Sequence, residues 1–306
     1  MTPQAIRDLV RQRCVDAGAC AVGFAACAPV DDAGRTLYRR WIADGRHASM
    51  EYMERYCEVR DNPALLLEGA ATIVSCAFAY TSPDTPRHPL FADYALGRDY
   101  HTVLRKALGP VVETMQAILP DSSTRICVDT APIRERYWAQ KAGVGFVGLN
   151  NQLIVPGVGS AVFLAEILWT EPLPPDVPLD RCCTRCGACV RACPGHALDG
   201  KGGLDARGCL SYLTIEHRGE LPEGTRLPAR IYGCDICRDV CPMARPSAPV
   251  RVLPDFAPSS SLMALDTDAI LALDAPAFSA LFSKSAVRRV KLEGLRRNAL
   301  RHKATE

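Results

Sequence analysis

The chain has 306 residues, 48% of them hydrophobic and 23% charged, with a formal net charge of +2. That length and apolar content suffice for one large core with a small appended unit. The near-neutral balance excludes a molecule-wide attraction for nucleic acid, so an anionic partner must be met by a local patch.

Residues 1–30 do not read as a secretory signal, because Arg7, Asp8, Arg11, Arg13 and Asp16 interrupt any apolar run. Residues 3–17 set Ile6, Leu9, Val10 and Cys14 at helical spacing, and "ACAVGFA" follows as a short strand. "TIVSCAFAY" (72–80) predicts a buried strand, and this most apolar part of the chain is far too short to cross a bilayer. A helix with an apolar stripe is expected over "TVLRKALGPVVETMQAIL" and a strand over "TRICVDT" (124–130). "PIRERYWAQKAG" predicts a proline-started helix ending at Gly143, with strands over "NQLIVP" and "SAVFLAEILWT". Helix and strand alternate, so an α/β layered domain is expected over 1–170. The proline-rich "TEPLPPDVPLD" (170–180) reads as a linker. A cysteine-rich module then fills 171–245, and a helical segment with a basic tail fills 246–306.

The chain carries 15 cysteines. In a cytoplasmic protein, the location expected here, clustered cysteines point to metal or catalysis rather than disulfides. Cys14, Cys20, Cys27, Cys57, Cys76 and Cys127 are scattered, mostly in apolar surroundings, and read as small buried hydrophobes. The other nine fall between Cys182 and Cys241. Cys183, Cys186, Cys189 and Cys193 have the spacing C-x2-C-x2-C-x3-C followed by Pro194. This is the bacterial ferredoxin run, in which three thiolates hold one 4Fe–4S cluster and the fourth reaches a second. Cys234, Cys237 and Cys241, together with Cys209, complete the ligand count. We assign Cys183, Cys186, Cys189 and Cys241 to one cluster and Cys193, Cys209, Cys234 and Cys237 to the other. Zinc is the rival, but its sites seldom take a third cysteine at the same interval plus a Cys-Pro. Cys182 is surplus, and His196 is expected at the surface or in a cap rather than on metal.

Clusters of this kind move single electrons, so the N-terminal domain must hold the acceptor or substrate. "GVGFVG" (143–148) matches G-x-G-x-x-G, but a helix precedes it and strands follow, the reverse of a dinucleotide site. It reads as a glycine-rich turn packed closely against something flat. Asp129 in "ICVDTAP" ends an apolar strand just before a proline. It is either a cap of the following helix or a carboxyl facing a cleft at the strand ends. Beside a large apolar cofactor such a carboxyl would be desolvated, its pKa raised, and a proton donor near neutral pH.

The blocks "GRHASMEYM", "GRDYHTVLRKAL", "VDTAPIRERYWAQKAGVGFVG", "GSAVFLAEI", "LDARGCLSYLTIE" and "GCDICRDVCP" run in order from about residue 40 to 245. Together they resemble the epoxyqueuosine reductases, corrinoid-dependent iron–sulfur enzymes of tRNA queuosine biosynthesis, and "SAVRRVKLEGLRRNAL" extends the likeness. The resemblance implies an α/β cobalamin-binding core similar to that of reductive dehalogenases, beside a ferredoxin-like module with two 4Fe–4S clusters. It implies cob(II)alamin as cofactor and reduction of an epoxide on a tRNA wobble base to the alkene of queuosine. Asp129 matches the family's proton donor, and Arg60, Tyr100, Asp129, Ser160 and Ser211 fall in blocks that line the corrinoid. An external low-potential electron donor, a monomeric state and no membrane attachment are also expected. Two departures stand out: Leu149-Asn150-Asn151 replaces the family's usual Lys-Asn-Thr, and many members continue into a helical-repeat domain. The D-x-H-x-x-G signature of proteins that supply a histidine to cobalt is absent, which fits a corrinoid held without a histidine from that motif.

A tRNA partner should leave a basic footprint. Lys284, Arg288, Arg289, Lys291, Arg296, Arg297, Arg301 and Lys303 lie in one stretch against Glu293 alone. Arg296 and Arg297 are expected on its phosphate-facing side. Two alternatives remain open at this point: a reductive dehalogenase-like corrinoid enzyme acting on a small molecule, and a non-catalytic two-cluster electron carrier.

Overall fold

The apolar runs become the two central strands of a four-stranded sheet. The computed structural model describes residues 1–228 and 230–305. Strands β1 (Ala21–Ala26), β2 (Thr72–Ala79), β3 (Thr124–Cys127) and β6 (Val162–Trp169) lie in the order β1-β2-β6-β3, and every neighbouring pair is antiparallel. A small hairpin of β4 (Phe146–Val147) and β5 (Leu153–Ile154) stands apart.

Every residue of β2 is buried because both faces of the sheet are covered. Successive side chains alternate between the faces. Phe24, Val74, Cys76, Phe78, Ile167 and Trp169 meet helices α1 (Pro3–Asp16) and α3 (Tyr100–Ile118) through Val10, Cys14, Leu104, Leu108 and Met115. Ala25, Ile73, Ala77 and Leu168 meet helix α4 (Glu135–Lys141) through Trp138 and Ala139. Helix α2 (Asp32–Ala43) lies further out and buries no residue completely. Cys14, Cys76 and Cys127 are fully enclosed in these cores, whereas Cys20, Cys27 and Cys57 are half-buried.

Two elements are shorter than their sequence signals. β3 ends at Cys127 because Asp129 adopts φ 50°, a left-handed conformation that no strand continues. Helix α4 starts at Glu135, three residues after Pro132. The 143–148 turn packs on its own chain: a Cβ on Gly145 would lie 2.6 Å from the Ile154 carbonyl, and one on Gly143 2.6 Å from that of Val177.

The antiparallel register brings the ends of β2 and β3 to the same edge as the starts of β1 and β6. That edge carries Tyr80, Asp129 and Ser160, and the cysteine-rich segment packs there. A Cβ on Gly159 would lie 2.1 Å from the Ala244 carbonyl, and Ser247 N–H donates to the Gly157 carbonyl at 2.9 Å. The segment holds short helices α5 (Ala188–Ala192), α6 (Leu210–Ile215) and α7 (Ile236–Asp239). Buried charges lock it down: Arg238 donates to Tyr80 Oη at 3.0 Å and to Asp93 at 2.5 Å, and Arg230 pairs with Asp235 at 3.2 Å. Arg87 adds Asp93 at 2.9 Å and Asp239 at 2.6 Å, so each of these buried charges has an opposite partner.

The C-terminal helices α8 (Ala275–Phe282) and α9 (Lys291–Lys303) share a core with Phe91, Leu96, Ile231 and Tyr232. Asn298, fully buried, ties α9 to the carbonyls of Thr214 and Ile231 at 2.8 Å each. Among the described residues no helix is long and apolar enough to cross a membrane.

Candidate active site

Asp99 caps helix α3 by accepting from the His101 N–H at 3.0 Å, which sets Tyr100 and His101 in the first turn. The same oxygen, Asp99 Oδ1, takes His101 Nδ1 at 2.7 Å. His101 Nε2 lies 3.1 Å from Asp129 Oδ2, and Tyr100 Oη donates to that same oxygen at 2.9 Å. The Tyr100 ring stacks on Phe163 at 4.3 Å and on His101 at 4.1 Å, which fixes its hydroxyl. The side chain of Asp129 keeps 56% exposure and that of His101 22%, so the carboxylate forms the floor of an open depression.

The charges divide sharply. Burial alone would push His101 down, but hydrogen bonds to Asp129 and Asp99 outweigh it and raise its pKa to about 9. Partial loss of water around the carboxyl would raise Asp129, yet His101 and Tyr100 outweigh it and hold the group below its ordinary value. At neutral pH the proton therefore sits on His101 and Asp129 is ionised. This corrects the expectation of a raised Asp129: the walls of the depression are polar and cationic as well as apolar. The capping alternative also fails, because Arg134 is the N-cap residue of α4, without a side-chain bond, and Asp129 instead donates its N–H to Glu135 Oε1 at 2.7 Å.

Glu135 is the raised carboxyl of this site: burial, then the charge of Asp129, pushes it up to about 8. The fold thus opposes ionisation of Glu135, and stability declines as pH rises from the ordinary value of 4.5 through about 8. Glu135→Gln retains an acceptor for the Asp129 N–H and should raise Tm at pH 9 while leaving it unchanged at pH 5. An equal shift at both pH values would show that charge is not what the fold resists.

The remaining candidate residues divide. Arg289 lies over the Tyr52 ring, 5.8 Å from its centroid, and pairs with Glu216 at 2.7 Å. Arg60 is half-buried with its Nε unpartnered. Ser160 is buried with a hydroxyl that has no partner, at the seam with Ala244. Ser211 is half-buried on α6, and nothing ties it to Asp129.

The cysteines gather in two groups. Cys183, Cys186, Cys189 and Cys241 line one small cavity with Leu149, Ile154 and Met243. Cys193, Cys209, Cys234 and Cys237 are mutual electrostatic neighbours, and burial pushes the thiols of Cys234 and Cys237 up to about 11 and about 12. Backbone N–H groups of Arg185 and Ala197 donate to the sulfurs of Cys183 at 3.4 Å and Cys193 at 3.3 Å. Among the described residues no three His, Cys, Asp or Glu side chains close on one point as a single chelated ion would require. Cys182 and His196 are both exposed.

The basic tail is less of a surface than its charge run suggests. Arg297 donates to the carbonyls of His217, Gly219 and Leu213, and Arg296 to that of Leu273. Both are half-buried braces between helices, which corrects their expected exposure to phosphate. Arg288, Arg289 and Lys291 are exposed, as is Lys284, whose carbonyl accepts the Asp99 N–H at 2.8 Å, so this segment borders the depression.

Two family models match parts of the chain. A family described as a 4Fe–4S double cluster binding domain matches residues 182–244, and one described as epoxyqueuosine reductase QueG, DUF1730, matches residues 60–130. The epoxyqueuosine reductase of Leadbetterella byssophila is 39% identical over 271 residues, covering 85% of this chain and 86% of that one. A crystal structure of epoxyqueuosine reductase with a tRNA-Tyr epoxyqueuosine-modified stem loop superposes with a TM-score of 0.91 at 30% identity, covering 99% of this chain and 82% of that one. The Bacillus subtilis enzyme, solved with its aspartate-bearing catalytic loop swung out of the active site, also gives a TM-score of 0.91, at 29% identity, with the same coverage of each chain. The chain belongs to the epoxyqueuosine reductase family.

Proposed function

We propose that this protein reduces the epoxide of epoxyqueuosine in tRNA to the alkene of queuosine, with Asp129 delivering the proton to the departing oxygen. Two electrons and two protons enter, the epoxide oxygen leaves as water, and a carbon–carbon double bond forms. The observation that carries this reading is the Asp129 Oδ2 atom held 3.1 Å from His101 Nε2 and 2.9 Å from Tyr100 Oη, on the floor of an accessible depression. The ionised carboxylate has no proton of its own, so Asp129 passes to the nascent alkoxide the one that His101 Nε2 hands to it, while Asp99 anchors the other ring nitrogen. The alkoxide is far more basic than an imidazole, so the transfer runs downhill. Tyr100 Oη keeps the shared oxygen aimed while the proton moves.

The donor set suits the two cofactors this reading needs. Eight cysteines in two groups of four match two 4Fe–4S clusters, with Cys241 crossing to the first group and Cys193 to the second. Unpartnered buried atoms on Ser160 and Arg60 offer hydrogen bonds to a polar cofactor. With Tyr100 and Ser211 they are the residues we infer to hold cobalamin. When bound, these groups supply stored single electrons and a low-valent cobalt able to reduce the epoxide. Anaerobically reconstituted protein, given cobalamin, a low-potential reductant and epoxyqueuosine-bearing tRNA, should yield queuosine by nucleoside mass analysis. Protein loaded with both cofactors that leaves the epoxide intact would overturn the reading.

The exposed cations beside the depression suit the phosphates of an anticodon stem. Arg288→Glu with Lys291→Glu should weaken stem-loop binding and lower the slope of log affinity against log salt by about 0.9 for each phosphate no longer neutralised. Arg297→Gln should instead lower Tm with the salt slope kept. Retention of the full slope in the double variant would remove this segment from the tRNA interface.

A further inference from the structure

The two cysteine groups are not equally placed. Cys186 is exposed, the only one of the four thiols lining the first cavity that is, whereas Cys189 and Cys241 are buried. All four thiols of the second group are half-buried. Cys209 and Cys234 of that group pack against the same apolar cluster as Ala48 and Met50. Tyr232, two residues before Cys234, bonds Tyr94 at 3.1 Å, and the Tyr94 ring meets that of Tyr100 beside Asp129. The second group therefore looks toward the depression and the first toward solvent. Cys189 and Cys237 share one apolar cluster between them, so the groups are contiguous.

Arginines surround the exposed group. Arg181 and Arg185 flank Cys183, Arg191 donates to the Cys186 carbonyl at 3.1 Å, and Arg245 follows Cys241 by four positions; all four are exposed. Arg185 holds φ 54°, a conformation disfavoured for a residue with a side chain, between two ligand cysteines. Among the described residues none of these four arginines forms an ion pair. The charged residues of 180–193 are Asp180, Arg181, Arg185 and Arg191, a local excess of positive charge on a molecule whose net charge is only +2.

We infer that this arginine-rimmed face around Cys186 is the docking surface for an acidic one-electron carrier protein, which delivers electrons to the Cys183–Cys186–Cys189–Cys241 cluster. The inference rests on the two-cluster reading. Each encounter oxidises the carrier by one electron and reduces the cluster by one, and two encounters supply the pair that the epoxide consumes. Unpaired surface arginines speed association with an acidic partner by long-range attraction, and that gain disappears in salt. Nucleic acid would also answer to positive charge, but the tRNA-facing cations Arg288 and Lys291 lie on a different segment beside the depression, and an exposed cluster ligand is of no use to a phosphate.

The test uses the reconstituted holoprotein and reduced flavodoxin, an acidic flavin protein, as the probe. Arg181→Glu, Arg185→Glu and Arg245→Glu together should slow cluster bleaching by flavodoxin at low salt at least about tenfold and weaken flavodoxin binding to match. Reduction by dithionite and affinity for the modified stem loop should stay unchanged. Iron and sulfide content, measured on the same samples, separates failure of docking from failure of the cluster reading. If the triple variant loses its clusters, the corresponding Arg→Gln set and the salt dependence of the unsubstituted protein decide the matter. A flavodoxin rate indifferent to both salt and substitution overturns the inference, as does loss of stem-loop binding with flavodoxin unaffected.

Discussion

Replacing Asp129 with asparagine is expected to lower turnover of epoxyqueuosine-bearing tRNA at least about a hundredfold, with iron content, cobalamin binding and stem-loop affinity unchanged. Asparagine keeps the shape and one acceptor for Tyr100, so the depression should survive. What it removes is the charge that keeps the proton on His101. With that carboxylate gone, His101 retains Asp99 alone, and its pKa should drop from about 9 toward the ordinary 6.5. An NMR titration of the imidazole reads this without any cofactor or substrate. A His101 that titrates identically in both proteins would break the proposed pairing, and a near-normal rate would remove Asp129 from the chemistry.

The same pair sets a pH signature. In the unsubstituted protein His101 holds its proton up to about 9, so turnover should stay level through neutrality and decline above that value. The stability sign agrees. A histidine whose folded pKa is raised contributes stabilisation that is fully present below 6.5 and lost as pH rises through about 9. Asp129, lowered in the fold, contributes stabilisation above its ordinary value of 3.8 that is lost as pH falls. The Asp129→Asn protein should therefore lose both limbs, and its Tm should depend less on pH at each end.

Local chemistry explains which parts of this molecule could be read from the sequence. β2 and β6 were visible because a strand covered on both faces must be apolar throughout, as Thr72–Ala79 nearly is. The cluster module was visible because cysteine intervals encode a ligand geometry directly. His101 was not, although Asp99 two residues before it carries a helix-cap signature. Its second partner, Asp129, lies 28 positions away and meets it only through the packing of α3 against β3. The protonation of the site was inverted for a related reason. A strand-end carboxyl invites the expectation of a raised pKa, but the sign depends on a cation and a phenol delivered by another element, and the raised group proved to be Glu135. Arg296 and Arg297 misled in the opposite sense. A run of charge reads as solvated surface, while the carbonyls that absorb both guanidinium groups, such as those of Leu213, Gly219 and Leu273, are distant in sequence. The antiparallel sheet was equally hidden, since alternating helices and strands do not specify strand direction.

The crossed cluster assignment makes a prediction with an effect at least as large. Cys241→Ala should abolish turnover and reduce iron from about eight to about four atoms per chain. Cys182→Ala should change neither, because that thiol is exposed and lies outside the cavity that Cys241 shares with Cys183, Cys186 and Cys189. Single substitutions cannot distinguish crossed from uncrossed pairing, but pairs can, because two ligands of one cluster act as a unit and two ligands of different clusters do not. Cys186→Ala combined with Cys241→Ala should lose no more iron than Cys241→Ala alone, despite removing cysteines 55 positions apart from different runs. Cys237→Ala combined with Cys241→Ala, only four positions apart, should lose both clusters. The uncrossed arrangement predicts the reverse for each pair, so iron analysis of these two double variants, with the spin count of the reduced proteins as a second readout, decides which thiolates share a cube.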